Sequence, residues 1–226
     1  MEEFVVAVKK RYGETCLIQF EDFANANAFR LLEKYQKKAC TFNDDIQGTA
    51  SVALSGLITA VKMTGIQMKD ARFLFYGAGE AAIGTANLIV LALVQKGLSE
   101  EEAKANIWLV DSKGLIVKDR PGKSLPYKIF QKKYYLLISN FTFINIAGGI
   151  NHEKAPFAKV AEPLKTLSEA IEFVKPTALI GCAAQGRQFT KEIIERMSTL
   201  NKNPIIFALS NPTSKAECKL KIFSSF

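Results

Sequence analysis

The chain has 226 residues, of which 48% are hydrophobic and 23% charged, with a net charge of +8 and a pI of about 9.2. That balance is ordinary for a soluble globular protein and long enough for one α/β domain with a real core, or for two small ones. The lysines are scattered, with only short pairs such as Lys9-Lys10, Lys37-Lys38 and Lys132-Lys133, and no basic stretch is interleaved with aromatics. This pattern argues for a surface that attracts anionic ligands and against nucleic-acid recognition.

In chain order, residues 2–11 predict a short amphipathic helix, and Cys16-Leu-Ile-Gln-Phe20 a short strand followed at once by Glu21-Asp22. Residues 25–38 carry apolar side chains at helical spacing (Ala28, Leu31, Leu32, Tyr35). Ala39-Cys-Thr-Phe42 predicts a second strand, followed by Asn43-Asp44-Asp45. Residues 48–63 read as an almost wholly apolar and therefore buried helix, stopped by Gly65. Phe73-Leu-Phe-Tyr is a buried strand that turns on Gly77 and Gly79 and opens a helix to about Gln95.

Ser99-Glu-Glu-Glu102 predicts a capped helix start, and Ile107-Trp-Leu-Val110 a strand ending in Asp111. Residues 134–147 form an uncharged, β-prone run that reads either as a strand or as an aggregation-prone insert. The alternation then resumes with a helix at 167–174, a strand at 177–180 before Gly181, a helix at 190–200, and a strand at 204–209 before Ser210-Asn211. Alternating strands and helices predict an α/β fold with a doubly wound parallel sheet, a Rossmann-like dinucleotide-binding domain.

Two sets of residues carry chemistry. Gly77, Ala78, Gly79, Glu80, Ala81 and Ala82 form G-x-G-x-x-A between a strand and a helix. The first glycine allows the tight turn, and the second lets the backbone approach a pyrophosphate. The small third residue lets helix and strand pack closely, and the free N–H groups of the helix start face the phosphates. Asp111 ends the next strand, beyond the roughly 20-residue interval typical of an acidic ribose ligand, with residues 97–102 inserted in the interval; the alternative is a turn residue.

The second set is Glu21, Asp22, Asp44 and Asp45, which follow two early strands without a basic residue in either cluster. Four carboxylates on one rim repel unless protonated or bridged by a cation, and oxygen donors alone suit Mg²⁺ or Mn²⁺. The competing reading makes Asp22 and Asp45 helix caps. In a doubly wound sheet ligands bind at the carboxyl ends of the strands, and all six strand ends here carry carboxylates, glycines or an amide.

Four well-separated cysteines (Cys16, Cys40, Cys182, Cys218) show no C-x-x-C spacing and predict reduced, mostly buried thiols of an intracellular protein. The single histidine, His152, excludes a multi-histidine metal site. No window is apolar enough for a membrane span and no secretory signal opens the chain. A cytoplasmic location is expected, with the mitochondrial matrix open.

Read together, Leu17-Ile-Gln-Phe-Glu21-Asp22, Cys40-Thr-Phe-Asn43-Asp44-Asp45-Ile-Gln-Gly48, the glycine turn, Ile107-Trp-Leu-Val-Asp111-Ser-Lys-Gly and Phe207-Ala-Leu-Ser-Asn211-Pro-Thr-Ser-Lys-Ala-Glu217-Cys resemble a malic enzyme. The resemblance runs in order over about residues 12–120 and 155–218 and covers the family's cofactor-binding half. It implies oxidative decarboxylation of malate to pyruvate and CO₂ with reduction of NAD or NADP, commonly in a homotetramer. It also implies Glu21, Asp22 and Asp45 as ligands of Mg²⁺ or Mn²⁺, and Asp44 as a carboxylate near the proton-transferring base. Residues 77–82 would lie on the pyrophosphate, Asp111 on the adenosine ribose, and Asn211 on the substrate and nicotinamide.

The family's lysine base and tyrosine acid belong to an N-terminal domain expected to be absent, and no lysine or tyrosine here stands in their motifs. The whole chain therefore reads as one NAD(P)-binding domain, incomplete at both ends, with an atypical insert at about 125–151. The segment with no family counterpart, about residues 127–150, has the character of an unspliced intron or of an error in gene structure. As written, the chain is expected to turn over poorly alone. The alternative is a non-catalytic dinucleotide-binding fragment or regulatory subunit.

Overall fold

A computed structural model describes residues 1–120 and 150–219; the β-prone run at 134–147 and most of the expected insert lie outside them. Among the described residues, five strands form the main sheet: β3 (Phe73–Tyr76), β4 (Ile107–Asp111), β5 (Gly114–Leu115), β6 (Ala178–Gly181) and β7 (Ile205–Ala208), in the order β5-β4-β3-β6-β7. All neighbours are parallel except the antiparallel edge pair β4–β5. The two-residue β5 has no sequence signal of its own; the turn at Gly114, with φ of 102°, folds it back on β4.

Period-two alternation sends β3 to both faces. Phe73 and Phe75 enter one apolar layer with α4 (Glu80–Gln95), while Leu74 enters the other with α6 (Leu167–Val174) and α7 (Lys191–Leu200). Burial on both faces is what a parallel sheet requires, and it explains why β3 reads as a continuous hydrophobic run.

The doubly wound expectation holds for this sheet, but the first two strands do not join it. β1 (Ile18–Phe20) and β2 (Thr41–Asn43) make a separate parallel pair. It is covered by α1 (Glu2–Tyr12) and α2 (Ala28–Tyr35) through Val5, Phe20, Leu31 and Tyr35. After β2 the chain makes a π-helical turn, Asp44–Gly48, and continues into α3 (Thr49–Thr64).

α3 is not buried all round, as its composition suggested. Ala50, Ala53, Leu57 and Val61 are buried, whereas Val52 and Met63 are 75% and 81% exposed. The apolar positions outnumber what one sheet face can cover, so the helix buries the stripe at three- and four-residue spacing and leaves the rest outward. The cysteines also differ from expectation: Cys218 is buried, but Cys40 is exposed. No helix among the described residues is long and apolar enough to cross a membrane.

The contact that places the small sheet against the large one lies at Gly84 in α4. A Cβ there would stand 2.3 Å from the Ile46 carbonyl oxygen and 3.0 Å from the Ile46 carbonyl carbon. Only glycine lets the dinucleotide helix touch the backbone of the π-turn. Gly84→Ala is expected to destabilise the fold by about 1–3 kcal/mol through overpacking against backbone that cannot yield, read as a lower urea midpoint with an unchanged slope.

Candidate functional site

The carboxyl ends of β3, β4, β6 and β7, together with the ends of β1 and β2, open on one cleft of about 620 Å³. Its floor is the turn after β3. Gly77 adopts φ of 118°, and a Cβ on it would lie 2.6 Å from the Cys182 carbonyl. This glycine is therefore required twice, by its left-handed backbone and by the neighbouring strand end. Gly79 is the N-cap of α4, and no side chain among the described residues caps the helix. The first-turn N–H groups at Glu80, Ala81 and Ala82 thus have no side-chain acceptor, in a sixteen-residue helix whose positive end points at the cleft. Gly77, Ala78, Gly79, Glu80 and Ala81 line the cleft, while Ala82 is buried and packs α4 on the sheet.

One wall is acidic. Asp22 and Asp45 both line the cleft, and the Asp22 backbone N–H donates to Asp45 Oδ2 at 2.8 Å. Neither residue is a helix cap. α2 begins only at Ala28, behind Asn27, and the π-turn is capped by Asn43, whose Oδ1 accepts from the Ile46 N–H at 2.9 Å while its own N–H donates to Gln47 Oε1 at 3.0 Å. Asn43 takes the capping role, and the Asp45 carboxylate remains turned to the cleft. Glu80, on the helix start, titrates above the usual carboxylate range, because of burial first and then the negative charges of Asp45 and Asp22.

The other two acidic candidates are placed differently. Glu21 is exposed, accepts from Gln19 Nε2 at 2.7 Å and is not part of the cleft lining. Asp44 folds back over Gly48, where a Cβ would meet its Oδ1 at 1.9 Å. Among the described residues, no three His, Cys, Asp or Glu side chains are gathered as a metal cage. The paired oxygen donors Asp22 and Asp45, held on one wall by a backbone hydrogen bond, still form a donor set of the kind a hard divalent cation takes.

The opposite end is basic. Asp111 lines the cleft, but its carboxylate is engaged: Arg120 Nη2 donates to both oxygens at 2.8 and 2.9 Å, Lys154 Nζ donates to Oδ2 at 3.1 Å and the Lys113 N–H to Oδ1 at 2.9 Å. Arg120 is buried, and it also donates to the Gly114 and Leu115 carbonyls. The Asp111 carboxylate thus meets two cations, with Lys154 and Ser112 lining the cleft beside it. Sequence reasoning missed Arg120 and Lys154. They lie nine and forty-three residues beyond Asp111, and no periodicity connects such positions.

The far wall is formed by residues 182–184 after β6 and 209–211 after β7, including Asn211. Burial pushes the Cys182 thiol up to about 12, with the Glu217 charge adding to the effect, so Cys182 is a wall residue and not a nucleophile. Asp22, Ala24 and Ala184, three non-glycine residues at positive φ (55°, 57° and 51°), all line the cleft. Such conformations persist only where surrounding structure enforces them, and they collect at functional sites.

Residues 46–225 match the family model described as malic enzyme, NAD binding domain. The chain belongs to the malic enzyme family. Residues 1–36 match the model described as malic enzyme, N-terminal domain, a domain that the sequence reading expected to be absent. Among relatives, the chain is 52% identical over 218 residues to the NADP-dependent malic enzyme of Anas platyrhynchos, covering 96% of this chain and 34% of that one. It is 49% identical to the mitochondrial NADP-dependent malic enzyme of Homo sapiens, again with 96% of this chain and 32% of the relative covered.

The chain thus spans about a third of the length of the curated relatives it matches. The crystal structure of Entamoeba histolytica malic enzyme superposes with a TM-score of 0.69 at 22% identity, over 99% of this chain and 40% of that one, and the NAD-dependent malic enzyme of Thermotoga maritima with 0.68 at 22%, over 99% and 49%. These two likenesses support the malic-enzyme NAD-binding, Rossmann-like fold.

Removing one of the two like charges beside Glu80 should bring its titration back toward the ordinary range. Asp45→Asn is expected to lower the Glu80 midpoint in a carboxyl-carbon NMR titration, and an unmoved midpoint would mean that the acidic wall is not electrically connected to the helix start.

Proposed function

We infer that the cleft holds a dinucleotide across the β3–β6 switch point and that the complete protein oxidatively decarboxylates malate to pyruvate and CO₂ while reducing NADP⁺. The observation that carries this reading is the uncapped, glycine-turned start of α4, opening between an acidic wall and a basic end. Backbone N–H groups at Gly79, Glu80 and Ala81 would bind the pyrophosphate, Gly77 admitting it by close approach. Lys154 and Ser112 would lie toward the adenosine ribose, and Asn211 toward the nicotinamide and the substrate.

NADP is favoured over NAD by the state of Asp111. A ribose 2′-hydroxyl would compete for a carboxylate already held by Arg120 and Lys154, whereas a 2′-phosphate would meet the Lys154 ammonium on the cleft lining. The names of the relatives, NADP-dependent malic enzymes, agree with this preference.

Asp22 and Asp45, with Glu21 as the third ligand that the resemblance assigns, would hold Mg²⁺ or Mn²⁺, which supplies Lewis-acid polarisation of the malate C2 oxygen. We assign proton transfer to no residue of this chain. Asp44, lying on Gly48, retains only a proposed supporting place beside a base supplied from elsewhere. We place the boundary between the two domains in residues 36–46, where the two family matches meet. A homotetramer in the cytoplasm or an organelle matrix completes the proposal.

Calorimetric titration tests it. The chain should bind NADP⁺ more tightly than NAD⁺. Gly79→Val should abolish both, and Lys154→Ala should weaken NADP⁺ about tenfold while sparing NAD⁺. Absence of binding by the unsubstituted chain would end the dinucleotide reading. Binding without malate-dependent NADPH formation in the presence of Mn²⁺ would place this chain as a binding unit. Turnover matching a full-length relative would show that proton transfer lies within it after all.

A further inference from the structure

Glu217 is fully buried, yet it lies one residue layer behind the cleft. Its Oε1 accepts from the Ala183 N–H at 3.0 Å and from the Ser210 hydroxyl at 2.5 Å, and its Oε2 accepts from the Ser210 N–H at 3.4 Å. The Ser210 hydroxyl in turn accepts from the Ala184 N–H at 2.8 Å, so its own proton is free for Glu217. Each of these groups donates to the carboxylate, the pattern taken by an ionised, acceptor-only group. No ion pair of Glu217 occurs among the described residues.

Gly181 makes the room: a Cβ there would stand 2.5 to 2.7 Å from the Glu217 side chain. The same charge contributes to raising Tyr76, Cys182 and Cys218, after burial in each case, so its field reaches the cleft lining.

With the pyrophosphate on the central glycine turn and the adenosine end over Asp111, the other half of a dinucleotide falls on the wall made by Cys182, Ala183, Ala184, Ser210 and Asn211. We propose that Glu217 is a positioning residue that also sets the redox preference of the site: it ties the two nicotinamide-side walls together and places one fixed negative charge behind them, favouring the cationic oxidised ring over the neutral reduced one. This rests on the dinucleotide reading above. It gives the site a reason to release reduced cofactor, because hydride addition at the ring removes the positive charge that Glu217 attracts.

The ratio of the dissociation constants for NADPH and NADP⁺ reads this directly. Glu217→Gln keeps the length of the side chain and removes its charge, and the ratio should fall about fivefold, chiefly through weaker NADP⁺. A residue that only braced the walls would weaken both forms alike, so an unchanged ratio in a folded variant overturns the proposal. Should Glu217→Gln not fold, Asn211→Asp adds a second carboxylate on the exposed edge of the same wall and should raise the ratio; no change there would equally overturn it. Failure of the unsubstituted chain to bind either form would sink the dinucleotide reading itself, an outcome distinct from equal weakening in the variants.

Discussion

The structure depends on the approach of α4 to the carbonyl of Ile46, which the missing side chain of Gly84 permits. Through that contact a helix belonging to the five-stranded sheet touches a turn belonging to the two-stranded one. Asn43 holds the turn by capping it, and Asp45 lines the same cleft as the start of α4. Two sheets that share no hydrogen-bonded strand thereby contribute to one site. A side chain at position 84 would separate them, and the carboxylates and the glycine turn would no longer act on the same ligand.

The fold was legible in the sequence where local pattern and tertiary need coincide. The α6 span, Leu167–Val174, and the capping box at Ser99 agree with their sequence signals because helix caps are local chemistry. The glycine turn was legible because its residues are contiguous. What was not legible depends on distance in the chain. Arg120 and Lys154 converge on Asp111 only after β5 folds back and the chain returns from beyond the undescribed segment. The pairing of β1 with β2 apart from the main sheet was hidden for the same reason: alternation predicts that strands exist and run parallel, but not which edge they join. The capping reading of Asp45 failed because the neighbouring Asn43 caps the turn, and that of Asp22 because α2 starts only at Ala28, six residues on.

Within the site, strain and charge occur together. Asp22, Ala24 and Ala184 hold left-handed backbone at a cost of about 1–3 kcal/mol each. All three are in segments that leave strand ends, where the chain must turn sharply to put its N–H groups and carboxylates on the cleft. The rigid sheet beneath fixes those strand ends, and the strain is the consequence of aiming short loops from them.

Two low-exposure carboxylates flank the cleft and are treated in opposite ways. Asp111 is met by two cations, which cancel its own field. Glu217 is satisfied by two backbone amides and a hydroxyl, which stabilise a charge without cancelling it. A neutralised carboxylate serves architecture, here the anchoring of a buried arginine against two carbonyls of the edge strand. An uncancelled one, placed where low dielectric screens it little, keeps a field that acts on whatever lies across the wall. The difference between the partners of these two groups, more than their burial, separates a residue that holds the fold from one that acts on a ligand.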